Sequence, residues 1–562
     1  RMPALKFEYT VMLHLIIKSL LINRPLKMGL LAYWLIFNPF TPISHAEEAF
    51  VELEATSSSS NQPTTFYPLD KPAIDLVAQR EISGYYVERK SYGTKKETEP
   101  PSYVKQANQT WLKNYTSFEN TDWLDIGLDY RARIEKRDND FRRNADSIDE
   151  PMLLRTRAFF AVKDLLDPLR FTLELEDARR YNSQFTRDFD TRDTNQTEPI
   201  QAYLELYFKD TFLGHDDLGN SRPISVKVGR QAFEYMDRRL FARNEWRNTT
   251  NNHEGLRASI GQEKNDWQID LLALNPVQRF TYELDSVNRS QAIYGVIFDW
   301  RRWSNISTIQ PYYYAFKQVG DKVKFTSDGK PESAQNKIDR TIHTAGLRIF
   351  GVLSHSGFDY DANYAKQWGH QSLLTTGGLF QSQLDHDAYA YNAEIGYSPK
   401  HAWKPRFSAF YGHASGDKTP GVGDGKNQRF DAAFGFARPW SNNDYVDMAN
   451  VNASKVRVEF QPPVSYLNAL KIDSGFSWYR LDSATDRWKA ADLRDQTGAS
   501  GKNIGKEIDL RLRFPINKHV SSNLGYAHFW AGDFTKHNAA LADPNRRQNS
   551  DFFYAEFSIS AF

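Results

Sequence analysis

Guanidinium groups are the residues of this chain best placed to do chemistry. Arg230, Arg238, Arg239, Arg243 and Arg247 fall within one stretch, 226–257, VKVGRQAFEYMDRRLFARNEWRNTTNNHEGLR. They are interleaved there with Glu234, Asp237, Glu245 and Glu254, and with the rings of Phe233, Tyr235, Phe241 and Trp246. Elsewhere arginines recur at every second position of alternating segments: Arg131 and Arg133, Arg155 and Arg157, then Arg257, Arg457 and Arg511. A guanidinium holds a carboxylate through two parallel N–H···O bonds, and a row of them offers an anion a series of weak, repeated sites. The rings add apolar faces on which the C–H patches of a sugar can stack. Acidic residues recur at the same spacing, among them Asp125, Asp129, Glu135, Glu174, Glu176, Glu205, Glu394, Glu459, Glu507 and Asp509. For any single arginine, structural pairing with such a carboxylate is therefore as good an explanation as anion binding.

The elements that must position these charges are strands. Leu124, Ile126, Leu128, Tyr130, Ala132 and Ile134 alternate with Asp125, Gly127, Asp129, Arg131, Arg133 and Glu135. One face is apolar and the other densely charged, the pattern of a wall with lipid outside and a wet lumen inside. The pattern predicts eighteen strands: 122–135, 152–163, 169–178, 200–209, 223–230, 254–261, 266–275, 291–301, 306–317, 341–351, 356–367, 387–399, 404–413, 454–461, 470–481, 504–515, 519–531 and 550–562. Connections alternate between short, such as 164–168, 262–265 and 516–518, and long, such as 231–253, 318–340, 368–386 and 414–453. Short periplasmic turns and long extracellular loops are the signature of an all-β transmembrane antiparallel barrel. Phe562 closes the chain but falls on the opposite face from Phe553, Ala555, Phe557, Ile559 and Ala561.

Composition bounds the function. Aromatics make up 14% and charged residues 25% of 562 residues, and mean hydropathy is -0.63. A bundle of membrane helices is excluded; a barrel, in which only alternate residues face lipid, is not. Lys+Arg is 71 against Asp+Glu 70, so no nucleic-acid partner is expected. There is no cysteine, which rules out disulfides and thiol chemistry. The 13 histidines are scattered, and Gly416-Asp417, Gly423-Asp424-Gly425 and Asp188, Asp190 and Asp193 read as turn chemistry. No metal, cofactor or catalytic residue is expected. Near the start, Arg24 and Lys27 precede the apolar run Met28 to Phe37, and Ser44-His45-Ala46 stands before Glu47. This predicts a secretory signal peptide over 1–46, with 1–23 an upstream extension, then a flexible periplasmic segment over 47–121 and the barrel over 122–562.

The 226–257 block, with LELEDAR at 173–179, EPIQAYLEL at 198–206, LLALNPVQR at 271–279 and GKEIDLRLRFP at 505–515, resembles the alginate export family of outer-membrane porins. The resemblance runs from about Trp111 to Phe562. It implies an eighteen-stranded barrel with an arginine-lined, anion-selective pore that passes a uronic-acid polymer by diffusion. It carries that role to Arg230, Arg238, Arg239 and Arg243 in the loop and to Arg131, Arg133 and Arg155 on the wall. The expected partners are outer-membrane lipid, an anionic polysaccharide or small anion as cargo, and periplasmic export or biosynthesis proteins. The balanced charge of the inward face leaves a second reading, a general porin for small sugars, organic acids or other small molecules.

Overall fold

The computed structural model describes residues 98–562, except for 116–117, 144–147, 185–190, 302–306, 320–337, 354–355, 376–378, 433, 436–437, 439, 466, 468 and 542–546. The expected signal peptide and most of the expected periplasmic segment lie outside the described residues.

Strand runs into strand in an up-and-down antiparallel order. The wall consists of β2 (Leu124–Asp138), β3 (Met152–Val162), β4 (Leu169–Tyr181), β5 (Asn195–Phe208), β6 (Ile224–Gln231), β7 (His253–Ile260), β8 (Trp267–Gln278), β10 (Gln291–Trp300) and β11 (Thr308–Gln318). It continues with β12 (Arg340–Leu353), β13 (Phe358–Leu374), β14 (Phe380–Tyr397), β15 (Arg406–Ala414), β17 (Val451–Phe460), β18 (Lys471–Arg480), β19 (Asn503–Pro515), β20 (Val520–Ala531) and β21 (Ser550–Ser560). The last strand pairs with the first, from Asp129 opposite Ser560 to Asp138 opposite Asp551, and this closes an eighteen-stranded barrel. Closure leaves the wall no free edge, which the interior of a membrane demands. Three short strands stand outside the wall: β1 (Val104–Gln106), β9 (Ser286–Val287) and β16 (Lys426–Asn427).

The alternation fixes which way each residue points. On β2, Arg131, Arg133, Glu135 and Arg137 are buried while Leu128 and Ile134 are exposed. On β17, buried Lys455 and Arg457 flank exposed Val456. Large apolar and aromatic side chains, including Tyr294, Tyr364, Tyr391, Phe407, Trp530 and Phe553, cover the outward face. The charged face is the inside.

Three expectations need correction. The connection expected over 368–386 is largely strand: β13 and β14 stay paired out to Leu374 opposite Phe380. Backbone pairing needs no alternation of side chains, so it continues where the apolar pattern fades. The final strand ends at Ser560, not at 562. Phe562 therefore lies beyond the pleat and is not bound by its register, and its ring stacks on Trp111 at 6.1 Å. The last part of the segment expected to be flexible is folded: residues 98–121 carry β1, which pairs with the start of β2, and two 3-10 turns, Ala107–Gln109 and Trp111–Asn114.

Val456 is 49% exposed at the middle of β17. Val456→Arg places a charge against hydrocarbon and is expected to destabilise the barrel by about 2–4 kcal/mol. Chemical unfolding from lipid vesicles measures it, and a cost near zero would place that face out of lipid.

Candidate functional site

The stretch between β6 and β7, residues 232–252, does not stand out from the barrel; it folds into it. Gly229 and Gly255 face each other in register just before the chain leaves the wall, with φ of 131° and 146°. A Cβ at either would lie 2.4 Å or 2.3 Å from a backbone carbonyl of the next strand, so only glycine fits this bend. Beyond it, Arg238, Leu240, Phe241, Arg243, Asn244, Asn248, Thr249 and Thr250 are all buried. The loop touches inward-facing residues of β2, β3 and β4 on one side. On the other, Phe241 meets Tyr314 of β11 edge-on at 5.0 Å, and Asp237 lies 4.0 Å from Arg348 of β12. β3 and β12 stand nearly opposite in the ring, so the loop crosses the lumen. At its turn Met236, Asp237 and Arg238 are all left-handed, with φ of 47°, 51° and 64°. Non-glycine residues hold this conformation only where their surroundings compel it.

The first arginine cluster grips this loop. Arg131 and Arg155 are cross-strand partners, two guanidiniums side by side. Arg131 donates to the carbonyls of Glu245 and Arg247, each at 2.7 Å, and lies 3.7 Å from Glu556. Arg155 reaches the Glu245 carboxylate at 3.3 Å. Arg133 donates to the Trp246 carbonyl at 2.6 Å and pairs with Glu135 and Glu556. Arg157 donates to Glu245 at 2.6 Å, Glu176 at 2.9 Å and Thr250 at 2.6 Å. From the loop side, Arg243 pairs with Glu174 of β4 at 2.5 Å and with Glu245 at 2.8 Å. Arg247 is half-buried and contributes its carbonyl to the cluster.

The other predicted residues are placed elsewhere. Arg230 pairs with Glu198 and donates to the carbonyls of Pro199 and Asp285. Arg239 pairs with Asp237, and Arg238 is buried in the turn. Arg257 pairs with Glu99 at 2.9 Å. Arg457 and Arg511 form a second wall cluster, converging with Arg513 on Asp473. Of the expected sugar-stacking rings, Tyr235 is half-buried and the other three do not present themselves to a solute. Phe233, Phe241 and Trp246 are 3%, 0% and 7% exposed. Phe241 packs with Tyr314 and Phe434, and Trp246 with Phe552 and Tyr554.

A second loop, 415–450, meets the first. Ala242 donates to the Phe434 carbonyl at 3.1 Å and Phe434 to that of Leu240 at 3.2 Å. Its Phe430, Trp440, Tyr445, Val446 and Met448 share one apolar cluster with Phe241, Tyr314, Phe410, Trp488, Phe529 and Phe534. The long loops thus bury a common core at their end of the barrel.

The family model for alginate export matches residues 122–548, three quarters of the sequence. The chain belongs to the alginate export family. It is an outer-membrane channel. No curated protein matches it. Among solved structures it is similar to Pseudomonas aeruginosa OccK11 (OpdR), at 13% identity and TM-score 0.46, over 78% of this chain and 95% of that one. It is similar also to Acinetobacter baumannii OccAB1 (9%, 0.46, 78% and 96%) and to Pseudomonas aeruginosa OpdK solved with vanillate (9%, 0.46, 78% and 98%).

In this member of the alginate export family, the sequence marks the cations but not what holds them. Glu245, Glu556 and Asp473 gather two or three guanidiniums each, Glu174 accepts from Arg243, Tyr103 and Gln201, and Arg438 lies 3.4 Å over the Trp246 ring. Spacing marks Glu174 and Asp473 as wall positions, but nothing in the local sequence ties them to arginines this distant. Asp424 makes a plain turn, accepting from the Lys426 N–H at 3.1 Å. Among the described residues no cluster of His, Cys, Asp or Glu is arranged to hold a metal ion.

Two outcomes follow from this geometry. Glu245→Ala removes the carboxylate shared by Arg155, Arg157 and Arg243, and is expected to expose Arg243 and Arg247 to externally added trypsin, which leaves the wild type intact there. Mass spectrometry of the digest reads it; equal resistance would show that the carbonyl contacts suffice. In the second loop, burial and the neighbouring Asp486 carboxylate push Asp417 up to about 6. The folded loop thus holds a proton that the unfolded chain, with an aspartate near ~3.9, releases. This contribution is full below about 4 and lost as pH rises through about 6. Amide protection over 415–430, taken relative to the intrinsic exchange rate at each pH, is expected to be greater at acidic than at neutral pH, and Asp417→Asn to abolish the difference.

Proposed function

We propose that the channel passes anionic solutes, up to an acidic polysaccharide of the alginate type, by passive diffusion along its inward arginines. One observation carries this reading. The guanidiniums of Arg131, Arg133, Arg155 and Arg157 form a strip on adjacent strands, and many of their oxygen partners come from the loop rather than the wall. Oxygens held by a loop can be exchanged for oxygens of a solute, and a carboxylate-bearing sugar offers the same bidentate geometry as Glu245. Repetition along the strip lets each contact be weak, as conduction requires. Direction is set by the gradient and by the proteins that make or deliver the polymer in the periplasm of a Gram-negative cell.

The general-porin reading is favoured by a different observation. The second cluster is closed within the wall: Arg457, Arg511 and Arg513 all bond Asp473, and Arg406 bonds Asp359 and Glu394. Such pairs present little net charge to a solute.

The reversal potential of purified protein in a planar bilayer under a salt gradient separates the two. Anion preference with block by oligouronate is expected, and Arg155→Gln or Arg243→Gln is expected to weaken the block by about tenfold, the loss of one charge-assisted pair worth roughly 1.4 kcal/mol. No ion preference and no block would hand the function to the general porin.

A further inference from the structure

The inward basic residues are not all closed by the wall or the loop. Lys227 on β6 and Arg257 on β7 are cross-strand partners, side by side and facing in. The wall carboxylates beside them are engaged elsewhere: Glu205 accepts from Ser225, and Asp270 from Ser259 at 2.5 Å and Gln268 at 2.9 Å. Among the described residues the ion-pair partner of both cations is Glu99, at 3.0 Å from Lys227 and 2.9 Å and 3.1 Å from Arg257. Glu99 belongs to neither wall nor loop. It lies on the segment that precedes the barrel.

That segment is fastened to the inside of the wall. β1 adds to the starting end of β2, where β21 no longer pairs: Val104 stands opposite Gly127 and Gln106 opposite Asp125. β1 runs antiparallel to β2, so the described residues before it, 98–103, lie farther up the lumen from the short-turn end. Tyr103 packs against the wall, and its hydroxyl donates to Glu174 at 2.7 Å, the carboxylate that also holds Arg243. The wall is shaped for that ring, since a Cβ on Gly127 would stand 2.7 Å from it. Tyr103 and the glycine opposite β1 thus hold Glu99 in reach of the two cations. Phe233 and Tyr235 flank the site, each ring 5.4 Å from the Arg257 guanidinium. Glu99 itself is 39% exposed, so a solute in the lumen can reach it.

We propose that Lys227 and Arg257 form a carboxylate-binding site in the lumen, occupied in this structure by the chain's own Glu99, for which an acidic solute competes. The proposal rests on the reading of the lumen as an anion path and names a site and an internal competitor within it. A tethered ligand is present at an effective concentration on the order of millimolar. A free carboxylate of similar affinity therefore takes the site only at or above that level, and the segment sets the resting conductance by lying in the pore.

Single-channel conductance of the full chain in planar bilayers, with glucuronate as the probe, tests this. Glu99→Gln keeps the shape and removes the charge. Its conductance is expected to rise, and glucuronate is expected to block it at a concentration about tenfold lower than in the wild type, because the competitor is gone. Gly127→Leu leaves both cations in place but displaces Tyr103, and is expected to reproduce the shift. Adding Arg257→Gln to Glu99→Gln is expected to remove the gain. Identical conductance and block in wild type and Glu99→Gln would overturn the proposal. So would a rise in conductance without any gain in glucuronate block. Failure of oligouronate to shift the reversal potential would instead count against the polysaccharide path, and it leaves the glucuronate comparison to decide the site.

Discussion

Closing the sheet on itself is the constraint from which the rest of this molecule follows. Lipid offers no partner for a peptide N–H or C=O, so β21 must return to β2 and every strand must be paired on both sides. Pairing fixes the pleat, and the pleat sends alternate side chains to opposite faces. The apolar set meets lipid. The charged set has nowhere to go but inward, where eighteen strands enclose a space wider than wall side chains fill by themselves.

That inward space is filled by charge meeting charge and by loops. A guanidinium withdrawn from water costs several kcal/mol unless a carboxylate or carbonyl replaces the water, and stripping one partner from a buried pair costs about 3–5 kcal/mol. The wall answers in two ways. Around Asp473 the arginines and the carboxylate come from neighbouring strands, a self-contained cluster. Around Arg131 and Arg155 two like charges lie side by side, and the 232–252 loop supplies the oxygens that make this tolerable. The loop is thereby bound by the same groups that the proposed function gives to cargo. Glu99 occupies Lys227 and Arg257 in the same manner from the other end of the barrel. Filling the lumen with the chain's own oxygens keeps a highly charged interior stable; the groups that do so are also those a carboxylate solute would have to displace.

The two faces of each strand were legible without coordinates, because a period of two in hydrophobicity has one physical meaning when the polar face carries this much charge. Strand number, order and inward register follow from it, and long connections against short ones give the barrel its ends. The errors fell where alternation is a poor guide. Pairing of β13 with β14 runs past the expected loop because it needs only compatible backbone and a turn. Phe562 escapes the pleat because the ladder ends at Ser560. The 98–121 stretch, expected to be flexible, is ordered because it borrows an open stretch of β2 and the space that Gly127 leaves on the wall.

The sequence by itself determined the barrel, the direction each wall residue points and the identity of the inward cations, since these are properties of local alternation. Only the tertiary structure decided what the cations touch. Arg157 and Glu245 are 88 residues apart and Arg257 and Glu99 are 158 apart, and no periodicity reports on such pairs. Phe233, Phe241 and Trp246 read locally as rings for a sugar, yet they are the packing of a loop turned inward, because a long loop with an apolar side lowers its free energy by burying it in the nearest cavity. In a closed barrel that cavity is the lumen.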